Sequence, residues 1–328
     1  MNRRTILLTG ASGFVGAHLS ARLIRTGFAV RAIGRTPPVA GSAIDFSRIV
    51  TLTDLSDVRS AFNGVDTVIH LAGQAHLVQA IADDEFYRVT NVAGTRTVAK
   101  AAAEAGVRRI VFASSVKAVS DGGIDVITDD TATAPADAYG MSKLQAEEAL
   151  FDIGNRTSLA INVLRLPAVY GPGVKGNILR LLRAIWTGRP LPIGGVRNGR
   201  TMLGLDNLAE FVVRLLDRPP KTEPPFLVSD RETLSTPQFV TLMARLLERS
   251  PRIISLPVGL LRTGGHIGDV FCRLGLPSLS SRDVHRLTSS LRIDSSRGWG
   301  YVQAEPPRQI QSGLAKMCSW YTEFHRAS

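Results

Sequence analysis

The stretch "DAYGMSKLQAEEAL" sets Tyr139 and Lys143 four residues apart, so on a helix both project from one face. A free tyrosine titrates near about 10, too high for efficient proton exchange at neutral pH, and a neighbouring ammonium favours the phenolate. About 25 residues upstream, "IVFASSVKAV" ends an apolar run in Ser114 and Ser115. A hydroxyl at the carboxyl end of a strand can bind the oxygen of a carbon that gains or loses a hydride. The chemistry on offer is proton and hydride exchange at a carbinol or carbonyl carbon.

Such a set must be held by strands and helices in alternation. The first 165 residues alternate short β-branched runs with longer amphipathic segments, which predicts βαβ units and a parallel sheet. The strands are expected at "TILLTG", "FAVRAIG", "RIVTL", "TVIHLAG", "RRIVFASS" and "LAINVLRLP", with a helix through "DDEFYRVTNVAGTRTVAKAAAEAG". After "VYGPG" the alternation weakens. "GNILRLLRAIWTG" and "DNLAEFVVRLLDR" read as helices, "PPFLVSD" as one more strand, and the tail as mostly helical. The expected fold is α/β: a Rossmann-type, doubly wound parallel sheet with a smaller, mostly helical C-terminal substrate domain. Residues 1–170 form the dinucleotide-binding part and 205–230 return to it, leaving 171–204 and 231–328 for the substrate.

The first strand runs into Gly10-Ala11-Ser12-Gly13-Phe14-Val15-Gly16 and then a helical pattern. Gly10 permits a tight turn, Gly13 lets backbone approach a pyrophosphate, and Gly16 allows close helix–strand packing, while the helix N-terminus offers its N–H groups to phosphates. An acidic residue is expected after the second strand to hold the ribose hydroxyls of NAD; Gly34 and Arg35 stand there instead. Nothing repels a 2′-phosphate, and Arg35, with Arg31 nearby, can bind one. NADP is therefore favoured, with NAD still compatible. Asp54 and Leu55, in "TDLSD", fall where an adenine is flanked, and Lys143 can reach the nicotinamide ribose.

With these motifs in order, the chain resembles the extended short-chain dehydrogenase/reductase family, in its nucleotide-sugar epimerase, dehydratase and 4-keto reductase branches. The resemblance runs through "TGASGFVG", "DL" at 54–55, "HLAG" at 70–73, "NVAGT" at 91–95, "SS" at 114–115, "YGMSK" and "LRLPAVYGPG". It implies that Ser115 orients the sugar oxygen, Tyr139 is the general acid/base, and Lys143 lowers its pKa. It also implies that Asn91 supports the active-site helix and that Leu71, Ala72, Gly73, Pro167 and Val169 line the coenzyme. By the same resemblance, Asn177 in "KGNIL" and Arg200 in "NGRTML" contact the substrate's diphosphate and nucleotide. On the residues alone, Asn177 reads equally as a helix-start residue and Arg200 as a surface cation.

The 4,6-dehydratases of that family carry an acidic pair after the catalytic hydroxyl; here Val116 and Lys117 stand in those positions, which disfavours dehydration. Of the rest, an exchangeable NADP suits reduction of a UDP-4-keto-6-deoxy-hexosamine for surface polysaccharide. A UDP-glucose or UDP-N-acetylglucosamine 4-epimerase is the alternative, and a non-catalytic NADP-binding regulator a third reading that the intact Ser–Tyr–Lys set disfavours.

Composition narrows the setting. The 328 residues are 44% hydrophobic and 20% charged, the mix of a globular chain, with a net charge of +11. The basic residues are scattered rather than clustered with aromatics, which are only 6%, so no nucleic-acid partner is expected. With only Cys272 and Cys318, no disulfide framework or thiolate metal site is expected and a reducing cytoplasm fits. No stretch reaches the roughly 18 apolar residues of a membrane span. A homodimer and peripheral membrane contact are both compatible with the sequence. In residues 255–277, Leu260, Leu261, Ile267, Val270, Phe271 and Leu274 suggest an amphipathic helix broken at Gly264-Gly265, either packed on the substrate domain or forming a lid or membrane-facing surface.

Overall fold

A computed structural model describes residues 3–38, 44–74, 84–273 and 280–326. Leu274, included above in the amphipathic segment, lies outside them. Six parallel strands come from the first half of the chain: β1 (Thr5–Thr9), β2 (Ala29–Gly34), β3 (Ile44–Arg48), β4 (Thr67–His70), β5 (Arg109–Ser115) and β6 (Ala160–Leu166). Five two-residue strands follow, β7 (Val169–Tyr170), β8 (Arg200–Thr201), β9 (Leu203–Gly204), β10 (Phe226–Leu227) and β11 (Thr233–Leu234). The main sheet has the order β10-β6-β5-β4-β1-β2-β3, and β10 joins it beside β6. The doubly wound parallel sheet expected from the alternation is therefore present.

The helices are α1 (Phe14–Arg25), α2 (Asp84–Tyr87), α3 (Gly94–Glu104), α4 (Ala138–Arg156), α5 (Gly176–Trp186), α6 (Leu205–Asp217), α7 (Thr236–Leu246), α8 (Val258–Arg273), α9 (Ser281–Thr288), α10 (Ser296–Tyr301) and α11 (Ile310–Arg326). Both faces of the sheet are covered. Along β1, Ile6 and Leu8 join the core shared with Leu19 of α1 and Phe211 of α6. Leu7 points the other way, into the core shared with Val98 of α3 and Leu150 of α4. This alternation, buried on both sides, is why the strand reads as a continuous apolar run. A third core, around Leu182, Val240 and Met317, belongs to α5, α7 and α11. Buried Arg109 donates to Leu215 O and Arg218 O, each at 2.6 Å, which holds the end of α6 against β5.

Two expectations need correction. The third strand is not "RIVTL" but Ile44–Arg48, paired from Val30↔Ile44 to Gly34↔Arg48. The ladder ends because β2 ends: Ile49 N–H donates to Gly34 O at 3.0 Å, after which Ile49 turns into the core and Val50 into solvent. Nor is the C-terminal amphipathic helix broken at Gly264-Gly265, since α8 runs through both. A Cβ on Gly265 would lie 2.9 Å from Ser281 Cα and 3.0 Å from Val284 Cγ2. That glycine is a close-approach point between α8 and α9, not a helix stop.

Candidate active site

The site is built where β1, β4, β5 and β6 end. Gly10 has φ of +74°, which a side chain would strain, and a Cβ on Gly16 would overlap Gly10 O. Gly13 N–H closes the turn on Gly10 O at 3.0 Å, and Gly13 caps α1 without a side-chain hydrogen bond. Phe14 and Val15 open the helix and pack sideways, Phe14 toward the third core and Val15 toward the first. The turn is thus a cradle that a methyl group would fill, which fits a pyrophosphate drawn against backbone N–H groups.

The loop after β4 lies beside it. Ala72 N–H donates to Thr9 Oγ1 at 3.1 Å, and a Cβ on Gly10 would meet Ala72 N at 2.9 Å. Leu71 N–H donates to Thr9 O at 3.2 Å. His70, fully buried, stands between Thr9 Oγ1 at 2.6 Å and Thr95 Oγ1 at 2.9 Å. Burial first, and the Lys143 charge second, hold its ring down to about 3. Asn91 sits in a π-helical segment, Arg88–Ala93, and is buried. Its Oδ1 accepts from Gln74 N–H at 2.8 Å and its Nδ2 donates to Ser142 Oγ at 3.0 Å. It therefore ties the Gly73–Gln74 loop to α4.

Asp137 starts α4, accepting from Gly140 N–H at 2.8 Å. Steps of four then put Tyr139, Lys143 and Glu147 on one face. Tyr139 hydrogen-bonds Ser115, so the strand-end serine and the helix tyrosine do meet. Lys143 Nζ donates to Ala113 O at 2.8 Å and lies 4.5 Å from the Phe112 ring centre. It also borders the loop after β4, since a Cβ on Gly73 would be 3.4 Å from Nζ. Burial lowers its ammonium to about 8, with Glu147 opposing. Tyr139 differs from expectation. Burial pushes its hydroxyl up to about 12, the Ser115 hydrogen bond pulls down, and the Asp137 and Tyr87 charges push up. In the chain by itself, desolvation outweighs any help from Lys143.

Several neighbours carried no local sequence signal. Tyr87 packs against Tyr139, ring centres 5.9 Å apart. Ser114 faces away from Ser115 and donates to Glu147. Glu147 pairs with Arg165 Nη2 at 2.7 Å, 2% and 10% of their side chains being exposed. Ser114 and Arg165 are cross-strand partners, so this pair pins α4 to β5 and β6. Lys117 Nζ lies between Asp137 Oδ2 at 2.6 Å and Asp121 Oδ1 at 2.9 Å. Val116 is buried.

The remaining expected residues are spread around this centre. Pro167 is buried immediately after β6, beyond the Ser115↔Leu166 pair, and Val169 pairs with Leu203. Leu55 is buried in the second core, and exposed Asp54 accepts from Ser56 N–H at 3.0 Å and Ser56 Oγ at 2.7 Å. Arg35 is exposed past β2, whereas Arg31 is engaged by Asp45 Oδ2 at 3.0 Å and Ala61 O at 2.7 Å. Register puts Arg48 beside Gly34, a second cation that the sequence pattern did not reveal. Asn177 is half-buried in the first turn of α5. Arg200 is no loose surface cation, because its Nη1 donates to Arg286 O at 2.8 Å and Ser289 O at 3.2 Å.

This sheet, glycine cradle and Ser–Tyr–Lys set define a class. The model of the NAD dependent epimerase/dehydratase family matches residues 6–228, and the chain belongs to that family. It is an NAD(P)-dependent enzyme of the nucleotide-sugar epimerase/dehydratase type. Along 95% of its length it is 31% identical to the UDP-glucose 4-epimerase of Vibrio cholerae, covering 93% of that protein. It is 27% identical to the N-acetyl-alpha-D-glucosaminyl-diphospho-ditrans,octacis-undecaprenol 4-epimerase of Escherichia coli O157:H7, over 94% of this chain and 92% of the relative. Among solved structures, MoeE5 in complex with UDP-glucose and NAD superposes with a TM-score of 0.79 at 25% identity, covering 98% of this chain and 99% of that one.

Proposed function

We propose that the protein is a 4-epimerase of a UDP-linked hexose or N-acetylhexosamine. The observation that carries this reading is the end-to-end similarity to two sugar 4-epimerases, with the Ser115–Tyr139 pair intact at the strand edge. The cradle at Gly10, Gly13 and Gly16, the Leu71–Gly73 loop held by Asn91, and Lys143 would hold the coenzyme. The chemistry a bound NAD(P) would supply there is reversible hydride exchange at the sugar's 4-carbon.

The chain's own residues handle the proton. Ser115 receives the sugar's 4-oxygen, and Tyr139, ionised with the help of the Lys143 ammonium and the positive charge a bound oxidised coenzyme would bring, takes its proton at Oη and restores it when the centre is reduced. One acid/base pair serves both directions, so inversion needs no additional acid. Dehydration does need one, and the nearby groups are committed elsewhere: Val116 is apolar and Lys117 bridges two carboxylates. Arg200, fixed by Arg286 O of α9 and Ser289 O just past it, is suited to the substrate's diphosphate.

A second reading, a 4-keto reductase, is favoured by one feature, the exposed Arg35 with no acidic residue at the end of β2. Incubating the purified protein with UDP-glucose and with UDP-N-acetylglucosamine decides between them. The 4-epimer should accumulate to equilibrium with no net change in added coenzyme. Stoichiometric NADPH oxidation with a UDP-4-keto sugar, and no epimer from either hexose, would overturn the epimerase reading.

A further inference from the structure

We propose that the outer face of α8 seats this protein on the surface of an anionic phospholipid bilayer. The helix is two-faced. Gly265 and Gly268 are buried and Val258 and Leu261 half-buried; Gly265 meets α9, and Leu261 packs on the third core. On another side Leu260, Ile267 and Phe271 are 62%, 55% and 45% exposed. With Gly264 between them, their spacing of four, three and four residues draws one line along the helix. Ile254, just ahead of α8, is 46% exposed as well. Large apolar side chains exposed in a row are costly in water and mark a surface that meets something.

Charge says what that something is. Cations are scattered along the whole chain, but the acids that balance them are not. Residues 171–204 hold six Lys or Arg and no Asp or Glu, and residues 236–301 hold nine Arg against four acids. The excess of these two segments equals the +11 of the entire chain, so the rest is neutral. Both segments belong to the part that carries α8. Arg252, two residues before Ile254, is exposed, as is Arg262 on the side of α8 away from the apolar line, and Arg189 precedes Leu191, whose N–H bonds Arg252 O at 2.8 Å. A second copy of the chain would bring an equally basic part against this one. A bilayer rich in anionic headgroups offers the opposite charge over an apolar interior, which is what a basic, apolar-faced surface helix binds. The placement also has a consequence for the cleft: α9, on which α8 rests, and the residue just past it supply the carbonyls that fix Arg200.

The full-length protein should co-sediment with vesicles of phosphatidylcholine containing about one-third phosphatidylglycerol, and far less with phosphatidylcholine alone. Binding should fall steeply in about 0.5 M salt. The triple variant Leu260→Ser, Ile267→Ser, Phe271→Ser should bind anionic vesicles about tenfold or more weakly, since three apolar anchors are lost. Its thermal unfolding and coenzyme affinity should match wild type, which separates lost docking from lost folding. Equal binding to both vesicle types, no binding to either, or an unimpaired triple variant would overturn the proposal. So would a wild-type oligomer that the variant dissociates, because the face would then belong to a second copy. None of these outcomes bears on whether the protein epimerises sugars.

Discussion

At the scale of single residues, the site places a tyrosine hydroxyl where water is scarce. Tyr139 is held at about 12 by burial, so the hydroxyl is a proton donor in the free chain and needs nearby positive charge to act as a base. Replacing Tyr139 with Phe keeps the ring's packing against Tyr87 and removes the proton route. Turnover should fall by about two orders of magnitude or more while coenzyme affinity stays near wild type, measured by epimer formation and by titration. Near-normal turnover would remove Tyr139 from the reaction. Arg35 tests the coenzyme in the same spirit. If it holds a 2′-phosphate, Arg35→Ala should weaken NADPH by about ten- to a hundredfold and leave NADH almost unchanged. Equal weakening of both, or a wild-type preference for NADH, would favour tightly kept NAD and with it the epimerase.

At the scale of elements, close approach decides more than propensity does. The β1–α1 turn works because no side chain stands between Gly16 and Gly10 O. Gly16→Ala should push α1 away from β1, costing about 1–3 kcal/mol and most of the coenzyme affinity. Urea unfolding and NAD(H) titration would show both losses together; a variant with wild-type affinity would contradict the cradle. The register of α4 rests on longer-range partners, Arg165 and Ser114, which grip Glu147 from two strands. That grip sets where Tyr139 and Lys143 stand relative to Ser115.

At the scale of the whole molecule, the buried His70 makes stability depend on pH. Its folded pKa of about 3 lies below the ordinary value of 6.5, so between these limits the unfolded chain binds the extra proton. Stability from this group is complete above about pH 6.5 and declines as pH falls toward 3, by at most about 1.4 kcal/mol per unit. Unfolding measured from pH 7 to 4 should show this slope, and His70→Asn should flatten it. An unchanged slope in the variant would assign acid sensitivity to other groups. Elsewhere Asp230 accepts Tyr170 Oη at 2.6 Å and Asn207 Nδ2 at 2.7 Å, joining β7 and α6 to the segment after β10. The molecule is thus laced together by buried polar contacts far apart in the chain.

Read alone, the sequence determined the features that short-range sterics dictate. Glycines at 10, 13 and 16 between an apolar strand and an amphipathic helix specify one turn. Tyr139 and Lys143 at helical spacing specify one face, and Ser115 at the end of a buried strand specifies an edge. The matching family model is consistent with that reading. Tertiary structure decided what depends on neighbours distant in the chain. The third strand shifted because β2 determined where its ladder stopped, and α8 stayed whole because Gly265 found α9. Arg200 became a fixed cation through carbonyls 86 and 89 residues away. Tyr139 was pushed up rather than down because its burial comes from the whole packed cleft. Periodicity and turn chemistry act over a few residues and leave a local mark, whereas desolvation and partner choice are properties of the assembled fold.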